Sequence, residues 1–306
     1  MSSPRMTVTE WTLLGMLSLL FGSVFLLIEV ALEGFGPFTL VLGRVGLGAA
    51  TLVAYVHFSG ARLPGFGPVW RHFFVMGALN NVIPFSLIAW GQVAIDSGVA
   101  AILNATSPLF SVVLAHFLTA DERMTANKTV GVMLGFCGVV VLVGPSALQG
   151  LAAQGLGQLA VLGATLSYAF AAIYGRRLAA VPPTVSAAGM LIAATVMMTP
   201  LALAFERPWA ANPGIAAWGA VITMAVFCTA LAFLLYFRIL ATAGATNTLL
   251  VTFLIPPSAL VLGVAVLGEE PQWTAFAGMA LILIGLAVVD GRAVRLFRGA
   301  RGGQPR

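Results

Sequence analysis

The sequence predicts an all-α integral membrane protein: ten transmembrane helices, arranged as two inverted five-helix repeats around a central cavity. Three observations predict it. The chain of 306 residues is 60% hydrophobic and only 8% charged, with a mean hydropathy of +1.01. Apolar runs of about 20 residues, the length that crosses a bilayer, recur along the chain. Runs three to five also share residue spacings with runs eight to ten. A soluble domain is about a quarter charged, so water cannot solvate this surface.

The runs are, in order, 11–31, 37–56, 71–91, 98–118, 127–144, 156–176, 184–205, 214–236, 246–267 and 272–290. The first is too long for a signal-peptide core and lacks a small-residue cleavage site, so it is expected to remain as a span. The connections are short, and none has the length to fold as a separate domain. Lys and Arg in the loops set the orientation. With the N-terminus inside, thirteen basic residues fall on the cytoplasmic side, among them Arg62, Arg71, Arg123, Lys128, Arg176, Arg177 and Arg238. The opposite side holds Arg207 alone, and Arg44 lies within a span. Both termini are therefore expected in the cytoplasm. In the tail, Arg292, Arg295 and Arg298 sit at helical spacing and read as an anchor on anionic lipid.

The repeat is visible in distances along the chain. Pro108 precedes Glu122 by 14 residues, and Pro256 precedes Glu269 by 13. Glu122 to Gly131 and Glu269 to Gly278 are both 9; Gly131 to Gly138 and Gly278 to Gly285 are both 7. Upstream, Trp90 to Gly98 and Tyr236 to Gly244 are both 8. The divisions are then 1–150, 151–291 and a basic tail, 292–306. Five spans per half is an odd number, so the second half enters the membrane inverted. Secondary transporters are often built so, with the substrate near the midplane where the halves meet.

At these residues a family resemblance appears. Phe21–Ser23 resembles the first-span "WGS" of the drug/metabolite transporter superfamily, EamA family. Pro37 with Arg44 resembles its second-span "P…R". Pro108 with Glu122, and Pro256 with Leu267–Glu269, resemble its repeated "P…LGE". Many members carry a basic residue where this chain has Glu29. Within the superfamily the chain is most similar to ten-span bacterial amino-acid exporters of the YddG type. The resemblance implies a basket of ten helices around a cavity, in a bacterial inner membrane.

Polar residues in the span centres are the candidate site. Asn80 and Asn81 lie at one depth with Ser23, Ser107, Ser167 and Tyr168, and Phe227 is equally central. A polar group facing hydrocarbon costs several kcal/mol. These groups are therefore expected to face the bundle, either as interhelical ties or as substrate contacts, with Asn81 favoured over Asn80 for contact. Asn104 and Asn247 lie off that depth and read as packing. Tyr168, Phe227 and Trp90 have rings to cover an apolar cargo, although a tryptophan near a span end, like Trp90, is by default an interface anchor. Pro84, Pro108, Pro256 and Pro257 each remove a backbone donor and read as kinks or hinges facing protein or cavity. Arg44, about two turns into its span, is a functional residue by default. It is read either as half of an ion pair with Glu29 or as an attractor of a substrate carboxylate.

Other classes are disfavoured. Cys137 and Cys228 lie inside apolar runs and suggest no disulfide framework and no zinc site. The net charge of +5 is scattered between apolar runs, which is not a nucleic-acid footprint. No H-E-x-x-H, G-x-S-x-G or paired-aspartate motif supports an enzyme; no metal or cofactor is expected. Rings of like charge, as in a channel, are missing, and no chain of carboxylates supports a proton relay. A monomer is expected, with lipid and a small molecule as partners. The favoured cargo is zwitterionic, namely amino acids including aromatic or apolar ones, with broad specificity and outward flux. Phosphorylated or nucleotide-linked sugars need several basic cavity residues; they and cationic drugs are the alternatives.

Overall fold

The computed structural model describes residues 7–119, 124–143, 153–248 and 250–290, and every regular element among them is a helix. Nine are long and apolar enough to cross a membrane: α1 (Val8–Leu32), α2 (Pro37–Phe58), α3 (Pro68–Gly91), α4 (Ser97–Leu118), α5 (Ala126–Val143), α6 (Ala153–Leu178), α7 (Pro183–Phe205), α8 (Ile215–Ala243) and α10 (Trp273–Asp290). The predicted span 246–267 is represented by the shorter apolar helix α9 (Val251–Leu267). Glu122, Arg123, the boundary near residue 150 and the arginine tail lie outside the described residues. The chain is a multi-pass membrane protein.

Local chemistry starts the helices where the sequence suggests. Thr7 and Glu10 form a capping box at the start of α1, the Thr7 N–H donating to Glu10 Oε2 at 2.7 Å. Pro37 and Pro183 open α2 and α7 at positions whose N–H would be orphaned anyway. The interior prolines have structural effects. Pro108 breaks α4 into Ser97–Asn104 and Ser107–Leu118. It removes a donor for the Asn104 carbonyl, and the Ser107 hydroxyl takes that place at 2.7 Å. Pro84 cannot donate to Asn80, and α3 widens just before it into a π-helical turn over Ala78–Val82. A matching turn, Val226–Leu231, sits in the middle of α8.

The packing is reciprocal. α1 lies on α8 and α9, while α6 lies on α3 and α4; α2 packs on α7 and α8, and α3 packs on α7. α5 and α10 pack chiefly on each other. Glycine permits that crossing: a Cβ at Gly131 would meet the Gly285 carbonyl oxygen at 2.6 Å, and one at Gly278 would meet the Gly138 carbonyl oxygen at 2.8 Å. Gly131 and Gly135, four residues apart on α5, both lie against Gly285 and are thus packing residues.

Contacts bring 34–38, 91–98, 206–213 and 263–269 to one end of the bundle. Arg207 is the one basic residue there among the described residues. The opposite end carries Arg62, Arg71, Arg176, Arg177 and Arg238. We refer to these as the arginine-poor and arginine-rich ends.

Candidate functional site

α1, α2, α3, α4, α6, α8 and α9 enclose a central cavity of about 270 Å³, close to the lower end of small-molecule sites, about 300–1,000 Å³. Its polar wall is Arg44, Asn80, Asn104, Ser107, Tyr168 and Thr229; its apolar wall is chiefly Phe21, Phe25, Phe85, Phe233 and Ile255. A second chamber of about 320 Å³ adjoins it, sharing Phe21, Asn104, Ser107, Tyr168 and Ile255. That chamber continues along Tyr236, Thr248, Val251 and Thr252 towards the arginine-rich end.

Arg44 is the cation of this cavity and is only 6% exposed. Its Nε donates to Thr229 Oγ1 at 3.2 Å, and its guanidinium carbon lies 3.9 Å from the centre of the Phe85 ring. Among the described residues no carboxylate pairs with it. The expected partner, Glu29, lies elsewhere: its nearest polar contact is Gln92, whose Nε2 reaches Glu29 Oε2 at 3.4 Å and the Phe25 carbonyl at 2.8 Å. The ion pair read from depth alone is therefore incorrect. A guanidinium has five N–H donors, and a hydroxyl and a ring face leave most of them for a carboxylate-bearing ligand, the group they match in geometry.

The other expected residues divide. Asn80, Ser107 and Tyr168 line the cavity. Asn81, favoured from sequence, does not: it is fully buried behind the wall, and neither its Oδ1 nor its Nδ2 has a partner. Ser23 donates to the Leu20 carbonyl at 3.0 Å and sits 3.5 Å from Cys228 Sγ, outside the lining. Trp90 and Phe227 are each 48% exposed and face away from the cavity. Pro108 borders the second chamber, whereas Pro84 and Pro256 are buried and Pro257 lies outside both linings. Ser167 is a tie, donating to the Leu79 carbonyl at 2.7 Å. Asn104, assigned to packing from the sequence, lines both chambers; Thr229, central in its span, and Phe85, not singled out in the sequence, line the first.

The arginine-poor end is built differently. A polar recess of about 160 Å³ there, including Asp96, Gln158 and Glu270, shares no wall residue with the central cavity. Burial, with a smaller push from Glu269, holds the Asp96 carboxyl above the usual carboxylate range.

With this geometry in place, comparison with known proteins decides the family. The model of the EamA-like transporter family matches residues 9–144 and again residues 155–289. The chain belongs to this family. EamA members are transporters rather than enzymes. The chain is 27% identical over 280 residues to a probable terminal-alkyne amino-acid exporter of Streptantibioticus cattleyicolor, covering 91% of this chain and 92% of that one. It is 24% identical to an uncharacterized transporter of Archaeoglobus fulgidus, covering 92% and 98%, and 24% identical to the uncharacterized inner membrane transporter YedA of Escherichia coli, covering 89% and 88%. A solved crystal structure superposes with a TM-score of 0.67 at 23% identity, covering 94% of this chain and 98% of the other; it shares the fold.

Proposed function

We propose that this EamA transporter exports small zwitterionic metabolites, foremost amino acids with apolar or aromatic side chains, across a bacterial inner membrane by alternating access. The observation that carries the reading is Arg44, a buried guanidinium on the cavity wall with no carboxylate partner among the described residues. A cargo carboxylate supplies the missing charge. The amides of Asn80 and Asn104 and the hydroxyls of Ser107, Tyr168 and Thr229 suit an ammonium group, and Phe21, Phe25 and Phe233 suit an apolar side chain. A hydrophobic pocket discriminates by only about 1–3 kcal/mol per methylene, so specificity is broad. Cargo with two or more negative charges would find a single cation. The exporter from Streptantibioticus cattleyicolor supports the cargo class by similarity.

Ten spans in two inverted halves are the architecture we propose for this cycle. It is supported by the family match falling once on each half, by the reciprocal packing of α1 on α8 and α9 with α6 on α3 and α4, and by the mutual glycine crossing of α5 and α10. The loop arginines support both termini in the cytoplasm, which makes the arginine-poor end the outer face. Halves related this way have two near-equivalent packings, each opening the cavity on one side.

The test is counterflow in liposomes loaded with phenylalanine or threonine. Labelled amino acid is expected to exchange and to be competed by several other amino acids. Movement of a sugar phosphate with no movement or competition by amino acids overturns the assignment.

A further inference from the structure

At the arginine-poor end two carboxylates from one half of the chain sit on helix N-termini of the other half. Glu206, just after α7, faces the start of α2. Its Oε1 accepts the Phe38 N–H at 2.9 Å, and its Oε2 accepts the Thr39 N–H at 2.8 Å and the Thr39 hydroxyl at 2.6 Å. Glu269, just after α9, faces the start of α4. Its Oε1 accepts the Ser97 N–H at 2.8 Å, and its Oε2 accepts the Gly98 N–H at 3.2 Å. Asp96 occupies the ordinary capping position of α4 yet makes no cap bond, and the Ser97 and Gly98 donors go to Glu269 instead. Each carboxylate satisfies orphan donors and sits at the positive end of a helix dipole.

The backbone is fitted to both contacts. A Cβ at Gly36 would overlap the Glu206 carboxyl, and one at Gly263 would overlap the Glu269 carboxyl. Gly268 has φ of +69°, which only glycine adopts without penalty, and it turns the chain so that Glu269 points back at α4. At the arginine-rich end, Pro182 stands at the capping position of α7 and makes no cap bond. Counting from Pro183 to Glu206, the same number of residues past Pro37 falls at Gly60, and no carboxylate stands there. Glu122, the counterpart of Glu269 in the repeat, lies outside the described residues. The chambers are asymmetric: the cavity holding Arg44 continues towards the arginine-rich end and shares no wall with the recess at the other.

We propose that Glu206 and Glu269 are latches that hold the arginine-poor end closed, and that this structure is the latched state, open towards the arginine-rich end. Cargo passes the arginine-poor end only when both carboxylates have left the two helix N-termini. The latches act whatever the cargo is, so their test needs none.

The experiment places a reporter thiol at Asn80→Cys, on the central cavity wall, in a Cys137→Ser, Cys228→Ser background. A membrane-impermeant maleimide is applied to right-side-out and to inside-out vesicles. In the latched protein, labelling is expected to be fast from the arginine-rich side and slow from the other. Glu206→Gln with Glu269→Gln is expected to raise the slow rate about tenfold or more, the scale of losing charge-assisted hydrogen bonds. Gly36→Ala and Gly263→Ala are expected to do the same sterically. Both positions have ordinary φ, −71° and −59°, so alanine strains neither backbone. A monodisperse species in detergent with a melting curve like the parent's reports that each variant is folded. An unchanged slow rate in folded glutamine and alanine variants, or faster labelling of the parent from the arginine-poor side, overturns the proposal.

Discussion

Arg44→Met tests the substrate site with two readouts of opposite sign. If the guanidinium holds the cargo carboxylate, its removal forfeits a charge-assisted bond of about 1.5–3 kcal/mol. At about 1.4 kcal/mol per tenfold, phenylalanine binding weakens by about 10- to 150-fold. Stability responds differently. Burying an unpaired charge costs several kcal/mol, while the contacts Arg44 keeps are one hydroxyl, worth about 1 kcal/mol, and the Phe85 face, worth about 2 kcal/mol when desolvated. Methionine fills a similar volume without charge, so the melting temperature is expected to stay level or rise. Equilibrium binding of labelled phenylalanine to purified protein, with a melting curve on the same sample, reads both. Phenylalaninamide, which lacks the carboxylate, supplies the control: the parent should bind it as weakly as Arg44→Met binds phenylalanine, and the variant should no longer distinguish the two ligands. A drop of about 3–5 kcal/mol in stability, the signature of a broken buried ion pair, with binding per folded molecule unchanged, would refute the reasoning.

Further outcomes follow from the same geometry. Asn80→Ala should cut counterflow several-fold at nearly unchanged melting temperature. Asn81→Leu should leave both counterflow and stability intact, because an amide with no partner forfeits nothing when replaced by an apolar group of similar shape; normal transport in Asn80→Ala with a loss in Asn81→Leu reverses the assignment. Gly285→Leu drives a side chain into the Gly131 carbonyl and the Gly135 backbone and should prevent stable folding, seen as loss of a monodisperse species in detergent. Periplasmic reporters fused after residues 33, 96, 149 and 210 should all be active; silence at two of them contradicts the proposed topology.

The span positions were legible because hydrocarbon demands long apolar runs, and the break at Pro108 because a proline must release a carbonyl. Depth was legible in part: Asn80, Ser107 and Tyr168 reach the cavity together, but Arg44 and Asn104, read as lying off that depth, line it too. Azimuth was not. Asn80 and Asn81 are about 100° apart on a helix, and the π-helical turn that contains them shifts the phase by an extra residue, so periodicity could not say which amide faces inward. The same lack of angular information paired Arg44 with Glu29, which shares its depth but faces Gln92, and counted Phe227 and Trp90 as cavity rings. Asn104 was missed because the broken helix carries it to the wall. Glu269 was visible in its motif, but its bonds to Ser97 and Gly98 join residues 172 and 171 apart, a relation no local pattern records.

The glycine crossing of α5 and α10 also has a consequence for how the chain is made. α5 leaves the ribosome first, and Gly285 follows Gly131 by 154 residues. At about 5–20 residues per second, the glycine face of α5 waits on the order of ten seconds for its mate. Throughout that interval it meets lipid, which gains nothing from the notch where a neighbouring backbone belongs. This pairing thus waits for α10, and a chain stalled before α10 leaves α5 a bare adhesive seam for membrane quality control to find.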